Sequence, residues 1–395
     1  MKKPFKIGIW INEDDLPEIG GGFSYTDRLI KGINLKEFDE RLKIVFIGFN
    51  LKGKFNKEAI SIPFNESYFQ KKKVNFYHKF FSLNLERKDI SKNYLNAISL
   101  LKSNDIQLIF YTNPYIALNN FPYICINWDL GHKSTFSFPE LTMNGEFIKR
   151  DTYFNKVLNE ALIVCCESDK GKEELTTYFN INPDRIRILP MFPGRIVDPE
   201  IEMLKPEWIT SDTLFFLYPA QFWSHKNHYN LINGFKLFCA ISKYTKYKLV
   251  LTGSDKGNLN YIKNFITESG LEHNIIIPGF IKNEELKWLY KNAEGLVFPS
   301  FLGPTNMPLL EALSLGCPIA CSNLTGHAEL LGSTALYFDP TNEFEIFNAM
   351  LSMTKGKKKP SPGKSNIDQE LQILESIFID SIPIRKTWGQ FDKIK

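Results

Sequence analysis

GLVFPSFLGPTNMPLLEALSLGCPIACS, residues 295–322, contains two short apolar runs separated by a turn and a helical pattern. The pattern predicts a buried strand at Gly295–Phe298, a helix from about Asn306 and a second buried strand at Pro318–Ser322. Thr305 or Asn306 can cap the helix, and a proline is tolerated in its first turn. A strand–turn–helix–strand unit of this kind is typical of an α/β core.

The turn in this segment also has the composition of an anion site. Its Gly, Thr and Asn residues lead into a helix N-terminus, where free amides and the helix dipole favour negative charge. Glu311 follows one turn later, and a carboxylate there can accept hydrogen bonds from a sugar diol. The two features together favour a nucleotide, and an ordinary strand–turn–helix of the core is the alternative.

The same alternation of apolar runs and helical periodicity extends along the whole chain. Near-continuous apolar strands between helices predict parallel sheets covered on both faces. Strands are expected at Lys6–Ile11, Leu42–Phe49, Ile106–Tyr111, Tyr123–Trp128, Leu162–Cys166, Arg185–Leu189, Thr213–Tyr218, Lys248–Thr252, Asn274–Ile277 and Ala335–Phe338.

A change of composition near Met191–Ser211 divides the 395 residues into two units. Pro-Gly, Asp-Pro and Lys-Pro pairs there are typical of a linker. We therefore predict an α/β protein with two doubly wound, Rossmann-like domains that face each other across a cleft. The expected divisions are 1–200 with an insertion at about 55–92, then 201–372, then a C-terminal segment 373–395.

Composition excludes several classes of protein. The chain is 43% hydrophobic and 23% charged, as in globular proteins. A net charge of +4 is too small to indicate nucleic acid as the main partner. The sequence predicts no signal peptide and no membrane span. Its six cysteines lie in apolar runs or a helix without zinc or disulfide spacing, which favours a cytoplasmic protein.

Four segments at predicted strand ends carry candidate site residues, because ligands of such sheets bind at the carboxyl ends of the strands. Lys226 begins a helix, a position that suits a lysine only if an anion binds there; a solvated lysine is the alternative. Asp129 and His132 follow a first-domain strand and are candidates for proton transfer or for positioning a substrate. Tight turns at Gly20–Gly22 and Pro278–Ile281 allow close backbone approach, although both also suit ordinary turns.

Taken together, these segments resemble glycosyltransferase family 4, which has the GT-B fold. The resemblance rests on PAQFWSHKNH, LVLTG, IIIPGF, the quoted segment 295–322 and ALYFDP, and is weaker in the first domain. It implies a retaining, metal-independent glycosyltransferase that moves a sugar from a nucleotide-diphosphate donor to a hydroxyl group. No cofactor is implied beyond the donor, and the final segment 373–395 is expected to cross back to the first domain. The implied acceptor is a glycan or a lipid-linked oligosaccharide of cell-surface polysaccharide synthesis.

The resemblance also implies roles for individual residues. Lys226 should hold the donor diphosphate, Glu311 the ribose hydroxyls, and Asp129 or His132 the acceptor. The remaining donor-binding positions that it implies are Gly21, Gly22, Gln221, Gly253, Phe280, Ile281, Gly303, Thr305, Asn306, Met307, Pro308 and Leu309.

Three departures from the family pattern concern the reacting centre. Trp128 occupies the position of the family's first-domain histidine, so Asp129 or His132 must substitute for it. Gln221 replaces an arginine near the diphosphate. Gly303 replaces the first of two glutamates, which leaves Asn306 as a neutral substitute.

Two alternatives share the architecture: a sugar-nucleotide epimerase and a catalytically silent sugar-nucleotide-binding protein. A phosphorylase dependent on vitamin B6 is disfavoured, since no motif for a cofactor-bearing lysine is present. Cations and aromatic residues alternate in 68–81. That segment can contact the inner face of the plasma membrane, or be a solvated face over buried aromatic residues.

Overall fold

The computed structural model describes residues 3–12, 21–64, 87–355 and 367–389. Within them the chain forms two parallel sheets, one of seven strands and one of six. The predicted membrane-contacting segment 68–81 lies outside the described residues, as does Gly20. Among the described helices, none has the length and apolar character needed to cross a membrane.

The first sheet has the strand order β3-β2-β1-β4-β5-β6-β7. Its strands are β1 Phe5–Trp10, β2 Leu42–Phe49, β3 Ala59–Ile62, β4 Leu108–Tyr111, β5 Tyr123–Ile126, β6 Ile163–Cys166 and β7 Ile186–Ile188. Its helices are α1 Gly21–Leu35, α2 Arg87–Ser103, α3 Gly131–Ser134, α4 Pro139–Thr142, α5 Glu146–Glu160 and α6 Asp169–Phe179. Strands β4, β5 and β6 are buried along their full length, as expected for a parallel sheet with helices on both faces.

The second sheet has the order β10-β9-β8-β11-β12-β13. Its strands are β8 Phe215–Pro219, β9 Lys248–Thr252, β10 Ile275–Gly279, β11 Gly295–Phe298, β12 Ile319–Ser322 and β13 Ala335–Phe338. Its helices are α7 His228–Cys239, α8 Leu259–Glu268, α9 Asn283–Asn292, α10 Met307–Leu315, α11 Thr325–Leu331 and α12 Glu343–Lys355. In both sheets the first strand pairs with the second and with a later one, which makes them doubly wound.

The last helix, α13 Ile367–Lys386, returns to the first domain. Leu371, Leu374 and Phe378 are buried in the same core cluster as strands β1, β2 and β4. The predicted return segment is therefore longer than expected, since the helix begins before residue 373.

One predicted boundary in the first domain is wrong. Strand β3 lies inside the expected insertion 55–92, yet it pairs with β2 as the edge of the sheet. Its short alternating pattern, with one fully buried residue, is typical of an edge strand and weak as a sequence signal. Helix α2 begins at Arg87, also within the expected insertion.

Candidate functional site

A cleft with a volume of about 760 Å³ lies between the two sheets. Residues from both domains line it, and most of them follow the carboxyl end of a strand. Those that the sequence predicted are Gly22, Asp129, Gln221, Lys226, Gly253, Phe280, Ile281, Gly303, Thr305, Asn306, Met307, Pro308 and Glu311. The structure thus brings thirteen of the sixteen predicted site residues to one cavity.

Lys226 is a half-buried cation at the inner wall of this cleft. Its backbone carbonyl accepts a hydrogen bond from the Tyr218 hydroxyl at 2.6 Å, which fixes the turn before α7. Burial lowers the pKa of Lys226 to about 8, although Asp129 and Glu140 oppose the shift. Within the described ranges no carboxylate forms an ion pair with the ammonium group. A cation that is partly removed from water and has no carboxylate partner favours the binding of an anion.

Asn306 occupies the N-cap position of α10, but its side chain does not cap the helix as predicted. Its Oδ1 instead accepts a hydrogen bond from Lys226 Nζ at 3.0 Å. Its Nδ2 donates to the carbonyl of Leu302 at 3.2 Å and lies 3.0 Å from His327 Nε2. The amides at the start of α10 therefore receive no side-chain cap from Asn306, and they lie beside the Lys226 ammonium group.

Glu311 lies one turn into α10, buried and facing the cleft. Its Oε2 accepts a hydrogen bond from the Tyr290 hydroxyl at 2.9 Å. Burial raises the pKa of Glu311 to about 7, and the Tyr290 hydrogen bond partly offsets this. The Glu311 carboxyl group is therefore about half ionised at neutral pH, and its oxygens can accept hydrogen bonds from hydroxyl groups.

Gly303 has a backbone conformation that disfavours any side chain, with φ at +118°. A Cβ at this position would lie 2.5 Å from Asn306 Nδ2. The amide of Asn306 therefore occupies the space that a residue-303 side chain would need. With Asn306 in this position, a glutamate side chain at residue 303 would clash with its amide.

Asp129 enters the cleft from the first domain. Its Oδ1 accepts from Arg150 at 2.9 Å and from the amide of Gly131 at 2.9 Å. Trp128 lies against α1, since a Cβ on Gly22 would be 2.7 Å from the Trp128 ring. The close approach of this ring is possible only because residue 22 is a glycine. Gly21 is the first residue of α1.

The structure does not bring His132 into the cleft. Its ring is buried, stacks on Phe154 with centroids 5.9 Å apart and meets the edge of Phe147. Burial lowers the pKa of His132, with Arg150 adding to the shift. The imidazole is therefore enclosed among aromatic rings, and of the two first-domain candidates only Asp129 reaches the cavity.

Leu309 is also outside the cavity. It is fully buried in the core of the second domain, and its amide donates to the carbonyl of Asn306 at 3.0 Å. The amide therefore already donates within the chain, and Leu309 does not line the cavity.

Gln221, Gly253 and Phe280 lie at the outer part of the cleft. Gln221 accepts from Trp223 Nε1 at 3.0 Å and donates to the Ser254 hydroxyl at 3.3 Å, which holds its amide against the cleft wall. The Gly253 amide bonds the Gly279 carbonyl at 2.9 Å. The Phe280 side chain is 59% exposed and is available to a planar ligand.

A contact between the domains was missed by sequence reasoning. Glu140 Oε1, from α4, accepts from the His225 amide at 2.9 Å and lies 2.6 Å from His225 Nδ1. The Thr135 hydroxyl donates to the backbone carbonyl of Phe301 at 3.1 Å, and the Phe138 ring packs on the Phe301 ring. No sequence motif identified Glu140, because its partner lies in the other domain.

The part of the chain that the structure describes contains no cluster of His, Cys, Asp or Glu arranged to hold a metal ion. The positive charge at the cleft comes from Lys226, Arg150 and Lys282 and from the N-terminus of α10.

Comparison with known proteins finds similarity mainly in the second domain. Residues 201–367 match the family described as glycosyl transferases group 1. The O-antigen chain mannosyltransferase B of Escherichia coli is 26% identical over 225 residues, 55% of this chain and 57% of that protein. The serotype-specific mannosyltransferase WbdA of E. coli is 27% identical over 211 residues, 51% of this chain and 26% of that protein. The chain thus matches between about a quarter and just over half of these relatives.

The whole chain also superimposes on solved structures. A glycosyltransferase from Rickettsia africae has a TM-score of 0.63 at 14% identity, covering 98% of this chain and 99% of that one. At this identity the likeness establishes the fold, and it confirms the predicted GT-B architecture. The chain therefore has the GT-B fold, and its residues 201–367 are similar to the glycosyl transferases group 1 family.

Proposed function

We propose that the protein is a retaining glycosyltransferase that moves a sugar from a nucleotide-diphosphate donor to a hydroxyl group of a glycan or lipid-linked acceptor. The observation that carries the proposal is the half-buried Lys226 ammonium group beside the N-terminus of α10 at the inner wall of the cleft. A site that concentrates positive charge without a bound carboxylate suits a diphosphate.

Lys226 and the amides of α10 have a specific task in this reaction. Departure of the nucleoside diphosphate adds negative charge to its terminal phosphate. Groups held in place before the reaction stabilise that charge in the transition state without reorganisation. Burial of Lys226 strengthens its interaction with the leaving group, because the local dielectric constant is low.

The remainder of the donor fits the outer cleft in our proposal. Glu311 accepts the ribose hydroxyls, and the exposed ring of Phe280 stacks beside the base with Ile281. Gly253 allows the base and ribose to approach the backbone, since it carries no side chain. The diphosphate then spans the distance to Lys226, with Gly22 facing it from the first domain.

Asp129 is the group that we assign to the acceptor side. It enters from the other domain, and Arg150 and the Gly131 amide hold its carboxylate in one orientation. The acceptor hydroxyl approaches on the face from which the diphosphate leaves, and Asp129 orients that hydroxyl or accepts its proton. Positive charge from Lys226 and α10 takes the place of a metal ion in this scheme, and the donor is the sole co-substrate.

Mannose is the sugar we propose for transfer, in the synthesis of a cell-surface polysaccharide. Both reported relatives carry mannosyltransferase in their names, and one name includes the O-antigen chain. We place the reaction in the cytoplasm, at the inner face of the plasma membrane. The six free cysteines suit a reducing compartment.

The proposal is tested by binding and by product analysis. Calorimetry with GDP, UDP and ADP should give saturable binding of at least one diphosphate, and the matching sugar nucleotide should be hydrolysed slowly without acceptor. Isomerised sugar nucleotide as the product would identify an epimerase. Binding with neither hydrolysis nor transfer would identify a silent binding protein, and no binding of any diphosphate would refute the proposal.

A further inference from the structure

A chain of hydrogen-bonded side chains extends from the half-buried Lys226 into the second domain. Lys226 Nζ donates to Asn306 Oδ1 at 3.0 Å, Asn306 Nδ2 lies 3.0 Å from His327 Nε2, and His327 Nδ1 lies 2.9 Å from the carbonyl of Ser322. His327 is fully buried and Asn306 is 8% exposed. His327 belongs to α11 and does not line the cleft.

The Ser322 carbonyl determines which nitrogen of His327 carries the proton. A carbonyl oxygen can only accept, so Nδ1 must be protonated. Burial lowers the pKa of His327 to about 4, and the positive charge of Lys226 adds to the shift, so the ring is neutral near pH 7. Nε2 of a neutral ring with a proton on Nδ1 carries only a lone pair.

That lone pair determines the orientation of the Asn306 amide. The NH2 group faces two acceptors, His327 Nε2 and the Leu302 carbonyl at 3.2 Å. The opposite orientation would place the amide oxygen against both of them. The oxygen must therefore face Lys226, whose ammonium group only donates.

We propose that His327 is a positioning residue for the anion site: its Nδ1–H tautomer fixes the Asn306 amide, which in turn holds the Lys226 ammonium group in place. The assignment of an anion to Lys226 rests on the function proposed above, whereas the hydrogen-bond order does not. The Asn306 side chain also lies beside Gly303, where it fills the space that a side chain at residue 303 would need.

The first test reads the hydrogen-bond order directly. Nitrogen-15 NMR of histidine-labelled protein should give a neutral Nδ1–H signal for His327 from pH 6 to pH 8. Its assignment comes from the loss of that signal in His327→Leu. A neutral Nε2–H ring or an imidazolium ion at pH 7 would overturn the proposal.

Asn306→Asp is the sharper variant. The new carboxylate has no hydrogen to give to Nε2, so His327 can keep both of its hydrogen bonds only by donating from both nitrogens. We expect an imidazolium signal at pH 7 that is lost only above pH 7. A ring that stays neutral in this variant would show that the two side chains are not coupled.

His228→Leu is the matched control. His228 is another fully buried imidazole of the same domain, stacked on Phe222 at 4.4 Å. Its loss should lower thermal stability and leave the His327 signal unchanged. A His327 signal that shifts as much in His228→Leu as in Asn306→Asp would assign the shift to general loosening of the domain and would overturn the proposal.

Binding separates this proposal from the proposed function. His327→Leu should weaken the affinity for GDP or UDP about tenfold, the size of one hydrogen bond to a charged group, and leave guanosine or uridine binding unchanged. Unchanged diphosphate affinity in the variant would overturn the positioning role. If the unaltered protein binds no diphosphate, the proposed function fails, and the NMR measurements still decide the role of His327.

Discussion

At the scale of single residues, burial sets the chemistry of the cleft. Lys226 and Glu311 have ordinary pKa values in an unfolded chain, and both shift toward the neutral form when the fold removes water from them. Loss of water from these two charged groups lowers the stability of the ligand-free protein. A bound diphosphate or sugar hydroxyl would restore part of that stability.

Lys226→Ala should lower turnover by about 10²-fold or more, the scale of a lost electrostatic stabiliser.

In the unaltered protein the ammonium group of Lys226 loses its proton as the pH rises through about 8. Diphosphate affinity should therefore fall between pH 7 and pH 9. Calorimetry at several pH values measures this.

The control for this pH dependence is Lys226→Arg. A guanidinium group stays charged over the same range, so the affinity of this variant should not change with pH. A parallel decline in both proteins would assign the titration to another group.

Glu311→Gln should stabilise the ligand-free protein above pH 7. The folded carboxyl titrates near pH 7 and the unfolded one near pH 4.5, so stability declines as the pH rises between these values. The variant should gain at most about 3 kcal/mol in free energy of unfolding at pH 8 and nothing at pH 4. Urea unfolding at both pH values tests the sign, and an equal change at pH 4 and pH 8 would contradict it.

At the scale of elements, short helices α3 and α4 join the domains. Glu140 of α4, together with Thr135 and Phe138 between the two helices, contacts the second domain at His225 and Phe301. Burial raises the pKa of Glu140, but hydrogen bonds from His225 outweigh it and lower the pKa below the usual 4.5. The contact is therefore stable above pH 4.5 and is lost as the pH falls further.

Glu140→Ala should open the cleft. The His225 amide would lose its acceptor in a mostly buried position, at a cost of about 1–3 kcal/mol. We expect a larger radius of gyration by small-angle X-ray scattering and a raised KM for the donor. Glu140→Gln retains an acceptor oxygen and should change both quantities less. Identical scattering of Glu140→Ala and the unaltered protein would argue against this role.

Most strands were predictable because each is a continuous apolar run. Leu42–Phe49 and Lys248–Thr252 match the structure at both ends. Strand β3 was not predictable, because an edge strand exposes part of its surface and its sequence therefore lacks a continuous apolar run. The Asn306 cap also failed as a prediction, because a tertiary partner, Lys226, competes for the same side chain.

At the scale of the whole molecule, α13 connects the end of the second domain to the core of the first. Phe378 is fully buried and meets the Phe110 ring edge-on at 5.3 Å. The buried Arg385 donates from Nε to the carbonyl of Gln107 at 2.8 Å. Both contacts anchor the returning helix on the first sheet.

Phe378→Ala should cost about 3–5 kcal/mol of unfolding free energy, the range for a buried phenylalanine. Ile384→Ala is the control, because that side chain is 43% exposed on the same helix and its loss should cost less than about 0.5 kcal/mol. Chemical unfolding of both variants tests this. Equal stabilities would mean that α13 does not anchor the first domain.

The sequence alone determined the class of sheet, the two-part division and the strand ends that carry site residues, because apolar periodicity and turn chemistry are local properties. Gly303 and Gln221 were recognisable as departures because the resemblance to a family assigns expected residues to their positions. Only the tertiary structure decided that His132 is enclosed in the first domain, that Glu140 meets His225, and that Asn306 joins Lys226 to His327. These contacts join residues far apart in the chain, and burial and hydrogen-bond direction exist only once the chain has folded.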